Sequence, residues 1–202
     1  MSRKLQYFDV NGYAEAVRYM LHYGKLEFED IRYKRDDWPI KSVKDALPYG
    51  QLPIYEEDGR VLSQSLAIAR YVAHEVGLLP SDPWEQAVVE AAALNCYDFV
   101  KKIVTLMLDP SKIEENKKNI DEAVEFYLSR FEKELKTGNG YFGGKLSWAD
   151  FILVGMIETT NLYLKGSIEK NYPTVTALIS KIYSLPGIKE YVAKRGPYVL
   201  NL

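Results

Sequence analysis

Residues 48–65 read PYGQLPIYEEDGRVLSQS. Two short apolar runs, Leu52 to Tyr55 and Val61-Leu62, flank Asp58-Gly59, and Asp-Gly between apolar runs is a strong hairpin signal. Pro53 cannot donate a ladder hydrogen bond, so it opens its strand at an edge or corner, and a cis Leu52-Pro53 bond fits a tight turn there. That geometry leaves the N–H and C=O of Leu52 facing outward, where a peptide-like ligand can pair with them as an extra strand. Gln64-Ser65 then opens an amphipathic helix. Its first turn exposes unpaired N–H groups at the positive end of the macrodipole, a place that favours an anion. Together these features describe a site for a short peptide bearing a carboxylate. The same residues also read as an ordinary hairpin followed by a Ser-capped helix.

Working outward towards the N-terminus, Leu5 to Val10 reads as a strand and Asn11-Gly12 as a turn. Ala14 to Tyr23 follows as a helix ended by Gly24, then a second strand over Phe28 to Tyr33. A strand–helix–strand order of this length implies a right-handed parallel unit. The charged segment Lys34 to Ala46 has a weak helical pattern and is expected to cover a sheet edge. Beyond the hairpin, Ser65 to Ala73 forms a helix closed by Gly77. Parallel unit, antiparallel hairpin and helix, in that order, are the arrangement of a thioredoxin-like domain, assigned to residues 1–79.

Leu78-Leu79-Pro80-Ser81-Asp82-Pro83 carries two prolines and no periodicity and reads as a linker. Strand signals then disappear. Helical runs cover Trp84 to Leu108, stopped by Asp109-Pro110, and Ser111 to Thr137, stopped by Gly138-Asn139-Gly140. Three more cover Trp148 to Leu164, Pro173 to Ser184 and Ile188 to Lys194. Ser147-Trp148-Ala149-Asp150 is an N-capping signature, with Ser147 expected to bond the third helical N–H. The run Phe151 to Ile157 is apolar on nearly all sides and too short to span a membrane, so it reads as the buried central helix of an all-helical second domain over residues 83–202. The fold class is α/β plus all-α.

Composition narrows the chemistry. With 202 residues, 47% of them hydrophobic, the chain can bury a real core. A formal charge of −2 and a pI near 5.8 give no electrostatic reason to expect nucleic acid or an anionic membrane as partner. No signal-peptide core opens the chain, which makes the cytoplasm its expected home. Its one cysteine, Cys96, reads as a packed helix side chain; with only His22 and His74 besides, ligands for zinc and the parts for Cys/His or Ser/His catalysis are lacking.

Tyr7-Phe8-Asp9-Val10-Asn11-Gly12, Asp37-Trp38-Pro39, Pro48 to Pro53, Gln64 to Tyr71 and Ser147 to Phe151 together resemble cytosolic glutathione transferases of the sigma class, which includes the glutathione-dependent prostaglandin D synthases. Tyr191 to Arg195 is similar to that family's ending. The resemblance makes Tyr7 the catalytic residue, donating its phenolic hydrogen to the glutathione sulfur. It places the γ-glutamyl carboxylate at Gln64 and Ser65, and the cysteinyl backbone on Leu52 ahead of a cis Pro53. Trp38, Gln51 and a lysine would hold the glycyl end. Counting back from Pro48, that lysine is Lys44; counting forward from Trp38, it falls nearer Lys41. Glutathione is thus implied as co-substrate.

Two departures from the relatives stand out. Some members have an arginine where this chain has Tyr13. A row of acidic residues that carries metal binding in certain members is here reduced to Asp98, with Leu94 and Tyr97 in its other places, so no metal is expected. The electrophile is expected against Phe8, Tyr13 and the Tyr97 to Leu108 stretch. Dimers are the family's rule, and Tyr49 is the candidate anchor for a homodimer partner. The implied activity is conjugation of glutathione to hydrophobic electrophiles, as in detoxification. The same site also suits a prostaglandin isomerase or lipid hydroperoxide peroxidase, and the same fold a crystallin-like or ligand-binding protein.

Overall fold

A computed structural model describes residues 1–107 and 110–198. In chain order the elements are β1 (Arg3–Phe8), α1 (Glu15–Tyr23), β2 (Glu29–Tyr33), α2 (Lys41–Ala46), β3 (Ile54–Glu57), β4 (Arg60–Ser63) and α3 (Ser65–Glu75), then α4 (Pro83–Met107), α5 (Ile113–Thr137), α6 (Trp148–Leu164), α7 (Pro173–Ser184) and α8 (Ile188–Arg195). The four strands form one sheet in the order β2-β1-β3-β4. β1 runs parallel to β2 and antiparallel to β3, and β3 pairs with β4 across the Asp58-Gly59 turn. Both turn residues have positive φ, 48° and 81°, as the tight hairpin requires. This is a thioredoxin-like domain followed by a helical one. The expected stop at Asp109 lies outside the described residues.

The segment between β2 and β3 holds a 3-10 turn, Arg35–Asp37, and the short helix α2, neither of which has a buried residue. Trp38, between them, lays its ring against Tyr33 of the edge strand β2 and Phe8 of β1.

The core of the helical domain is α6. All ten residues from Trp148 to Ile157 are buried, and each large apolar side chain so placed stabilises the fold by roughly 1.5–3 kcal/mol. Gly155 lets α6 approach α1: a Cβ there would stand 3.3 Å from the Ala16 backbone nitrogen. α6 therefore packs directly behind the helix that follows β1. At its start the Asp150 carboxylate accepts from the Ser147 N–H (2.7 Å), the Ser147 hydroxyl (3.2 Å) and the Phe142 N–H (2.9 Å), while the Asp150 N–H bonds the Ser147 carbonyl (3.1 Å) rather than the expected hydroxyl, so the carboxylate's half of a capping box forms. Burial pushes this carboxyl up to about 7 against the pull of those donors.

α7 is closed from outside its own sequence. Glu132, on α5, accepts from the N–H groups of Thr174 (2.9 Å) and Val175 (3.0 Å) and from the Thr174 hydroxyl (2.8 Å), and pairs with Lys136 at 3.1 Å.

Candidate active site

β1 delivers Tyr7 to the sheet's C-terminal end, and the turn after it brings Gly12 and Tyr13 back over the ring. The Tyr13 N–H donates to the Tyr7 hydroxyl oxygen at 3.2 Å. Gly12, at φ 49°, permits this closeness, since a Cβ there would meet the hydroxyl at 2.6 Å. Beneath the ring lies the buried guanidinium of Arg18, 5.9 Å from its centroid. Arg18 donates to the Val10 carbonyl (2.8 Å) and the Phe8 carbonyl (3.4 Å), and pairs with Glu15 (3.0 Å) and Asp30 (3.1 Å). The loop carrying Tyr7 and Tyr13 is thus fixed from inside by a charge-assisted network. Burial, partly opposed by the Tyr13 N–H, pushes the Tyr7 phenol up to about 12, so it stays protonated at neutral pH and its own hydrogen is free to donate.

Two cavities meet at Tyr13. The first, about 280 Å³, is lined by Tyr49, Gln51, Leu52, Pro53, Ser63, Gln64 and Ser65 on one side and by Tyr97, Asp98 and Lys101 of α4 on the other. Leu52-Pro53 is cis, as the sequence predicts. Strand pairing begins only at Ile54, and among the described residues no backbone hydrogen bond uses the N–H or C=O of Leu52. α3 starts here with Gln64 as its N-cap residue, at φ 73° and ψ 110°, and no side chain caps its first turn. A non-glycine residue at such φ carries strain of about 1–3 kcal/mol, a feature that collects at ligand sites. The ordinary reading of this stretch, a Ser-capped helix, is therefore not what forms. Ser65 is the first helical residue, its hydroxyl beside the free N–H groups rather than bonded to them.

The second cavity, about 130 Å³, is lined by Tyr7, Phe8, Val10, Gly12 and Tyr13 from the first domain and by Arg35, Val100, Val104, Met156, Thr159 and Tyr163. It is largely apolar. Arg35 donates to the Tyr163 hydroxyl at 2.7 Å, linking the two domains beside it.

The sequence-predicted residues divide accordingly. Gln51, Leu52, Pro53, Gln64 and Ser65 share the first cavity; Tyr7 and Phe8 line the second; Tyr13 borders both. Trp38 lines neither: its ring packs edge-on against Phe8 at 5.4 Å. Lys41 is engaged with Asp45 in an exposed ion pair, whereas Lys44 lies along Gly50, next to Gln51. Of the expected electrophile wall on α4, Val100 and Val104 face the second cavity, but Tyr97 faces the first. Helical period alone does not give the split, since Tyr97, Val100 and Val104 recur at i, i+3, i+7; that face runs past both cavities, and Tyr97, with Asp98 and Lys101 beside it, meets the first. Sequence reasoning missed Arg35, Met156, Thr159 and Tyr163. Met156, Thr159 and Tyr163 recur at i, i+3, i+7, a signal hidden because α6 is apolar all round.

Among the described residues no group of three or more His, Cys, Asp or Glu could hold a metal ion, and no helix is long and apolar enough to cross a membrane.

Residues 3–74 match the glutathione S-transferase N-terminal domain and residues 97–195 the glutathione S-transferase C-terminal domain. The chain is 34% identical to a glutathione S-transferase of Anopheles gambiae over 196 residues, covering 95% of this chain and 96% of the relative. It is 36% identical over 200 residues to the hematopoietic prostaglandin D synthase of Gallus gallus, with 95% and 96% covered. The solved structure of prostaglandin synthase D of Nilaparvata lugens superposes with a TM-score of 0.90 at 34% identity, covering 97% of this chain and 99% of that one. With both domains matched, in the order that the sheet and the helices set them around the two cavities, the chain belongs to the glutathione S-transferase family.

Proposed function

We propose that the chain conjugates reduced glutathione to hydrophobic electrophiles, with Tyr7 donating its phenolic hydrogen to the sulfur and holding it as thiolate. The observation that carries this reading is the state of the Tyr7 hydroxyl: the Tyr13 N–H takes its lone pair, burial keeps its proton on, and it lines an apolar cavity next to the one that suits a peptide. A free thiol has a pKa near ~8.5, so little of it is thiolate at neutral pH. One hydrogen bond to the anion contributes roughly 1.5–3 kcal/mol, enough to lower that pKa by about one to two units. The thiolate then attacks the electrophile, forming the carbon–sulfur bond as the leaving group departs with its electron pair.

In this reading residues 1–79 grip the tripeptide, and the electrophile's wall is shared between them and residues 83–202. The γ-glutamyl carboxylate lies at the start of α3 on Gln64 and Ser65, the cysteinyl backbone pairs with Leu52, and Gln51, Trp38 and Lys44 reach the glycyl end. Lys44 is preferred over Lys41 because Lys41 already has a partner. We place the chain in the sigma class, in the cytoplasm, with a role in detoxification. Tyr49, 74% exposed, is assigned as the anchor of a homodimer, to be tested by sedimentation of the Tyr49→Ala variant.

The protein should be retained on immobilised glutathione and should conjugate a halonitrobenzene. Tyr7→Phe should remain bound to the resin while turnover falls by about 10- to 100-fold, the loss of one hydrogen bond to a charged group. An unchanged rate removes Tyr7 from the mechanism. A second reading, isomerisation of a prostaglandin endoperoxide at the same site, is favoured by the resemblance to the Gallus gallus prostaglandin D synthase. Measurable isomerisation of that substrate, lost in the same variant, would establish it.

A further inference from the structure

We propose that Tyr97 is a further glutathione-positioning residue, its hydroxyl donating a hydrogen bond to the γ-glutamyl carboxylate that Ser65 also receives. The inference rests on the glutathione reading above and moves Tyr97 from the electrophile wall, where the sequence places it, to the carboxylate end of the tripeptide.

Three observations meet at this side chain. The Tyr97 ring stacks on Tyr13, with centroids 5.5 Å apart and planes 24° from parallel, so its direction is fixed before any ligand arrives. Its ring edge is partly exposed, but its hydroxyl oxygen is buried, with Ser65 the side chain close enough to bond it among the described residues. A serine that donates to the phenol oxygen leaves the phenolic hydrogen without an acceptor, and an unmet buried donor costs about 1–3 kcal/mol. Finally, Tyr97 lines the first cavity together with Gln64 and Ser65. Its hydroxyl lies within electrostatic reach of Ser65, Tyr13 and Tyr7, between the uncapped start of α3 and the phenol assigned to the sulfur.

Chemistry selects the acceptor. Burial first, then the neighbouring phenols, holds the Tyr97 phenol above its ordinary range, with Ser65 acting the other way, so at neutral pH it carries its proton. A protonated phenol in this position needs an acceptor. The ligand group next to Ser65 that offers one is the carboxylate, whereas the ligand's ammonium offers only donors.

Tyr97→Phe keeps the ring and its stacking and removes only the oxygen. With a halonitrobenzene as second substrate, the KM for glutathione should rise about tenfold, the loss of one hydrogen bond to a charged group. The KM for the electrophile should hold, kcat should stay within about twofold, and the thermal midpoint should be equal or higher. Affinity for 4-aminobutyryl-cysteinylglycine, glutathione without the α-carboxylate, sharpens the test. Wild type should bind this analogue far more weakly than glutathione, and the ratio should shrink in the variant. An unchanged KM for glutathione, or an equal ratio in both proteins, overturns the assignment. So does a wild type that binds the analogue as well as glutathione, a result that needs no variant. A wild type that neither binds nor turns over glutathione overturns the proposed function itself, which separates the two failures.

Discussion

The first turn of α7 is closed by a carboxylate from α5, and the first turn of α3 is closed by no side chain among the described residues. The two starts are otherwise alike. Each has a hydroxyl residue in its opening positions, Thr174 and Ser65, and each presents N–H groups at the positive end of a helix dipole. At α7 the sequence supplies the anion itself: Glu132 takes both N–H groups and the Thr174 hydroxyl. At α3 the same donors open on a cavity. An intramolecular carboxylate thus shows within this molecule the geometry that a ligand carboxylate would adopt at Ser65. Where the chain satisfies its own helix start, the outcome is stability. Where it does not, and holds Gln64 at a strained φ of 73° as well, the N–H groups are left open towards a cavity, as the proposed glutathione site requires.

The comparison can be broken most directly from the α7 side. Glu132→Ala leaves two backbone N–H groups and a hydroxyl without their acceptor, so unfolding free energy should fall by about 3 kcal/mol, read by urea titration, with the KM for glutathione unchanged. A neutral result would mean that the carboxylate does not hold α7, and the parallel with α3 would lose its reference point. Ser65→Ala should do the reverse: a KM for glutathione raised about tenfold, with the thermal midpoint unaltered because the hydroxyl caps nothing in the protein alone. A large loss of stability there would show that α3 is capped by its own serine after all.

The pH dependence of Glu132 sharpens the same contrast. Burial alone would raise this carboxyl, but its hydrogen bonds to Val175 and Thr174 and its contact with Lys136 outweigh burial and leave it below its usual value of 4.5. A depressed folded pKa means that the stabilisation is present above 4.5 and is lost as pH falls through the folded value. The stability gap between wild type and Glu132→Gln should therefore be widest near neutrality and narrow in unfolding titrations below pH ~4.5. A gap constant across that window would remove the charge from the argument. The smallest effect is expected at Gln64→Gly. Relief of the positive φ should raise stability by up to about 1 kcal/mol, while loss of the side chain weakens glutathione binding. Stability and affinity moving together would contradict the idea that strain at this position serves the site.

Much of the molecule was legible in the sequence wherever the signal was local. Asp58-Gly59 announces the hairpin through the dihedrals that only such a pair adopts cheaply, and the two apolar runs around it pair as β3 and β4. Ser147 and Asp150 announce the start of α6 three residues apart. Leu52-Pro53, Gln64 and Ser65 announce one half of the first cavity. Tyr97 was grouped with Val100 and Val104, yet it lines the first cavity and they line the second. Which cavity a side chain meets depends on which way an element faces once packed, and a single helical run fixes that only relative to itself.

Periodicity and turn chemistry therefore determined the order of elements and the succession of a sheet-bearing domain and a helical one. These are properties of residues within a few positions of one another, where backbone sterics and hydrogen-bond ring closure leave few options. Tertiary structure alone decided that Glu132 closes α7 from about forty residues away, that Arg35 meets Tyr163 beside the second cavity, and that the Tyr97 hydroxyl ends up buried beside Ser65. Those pairings are set by the packing of whole helices against the sheet and against each other. No local period of the sequence encodes them.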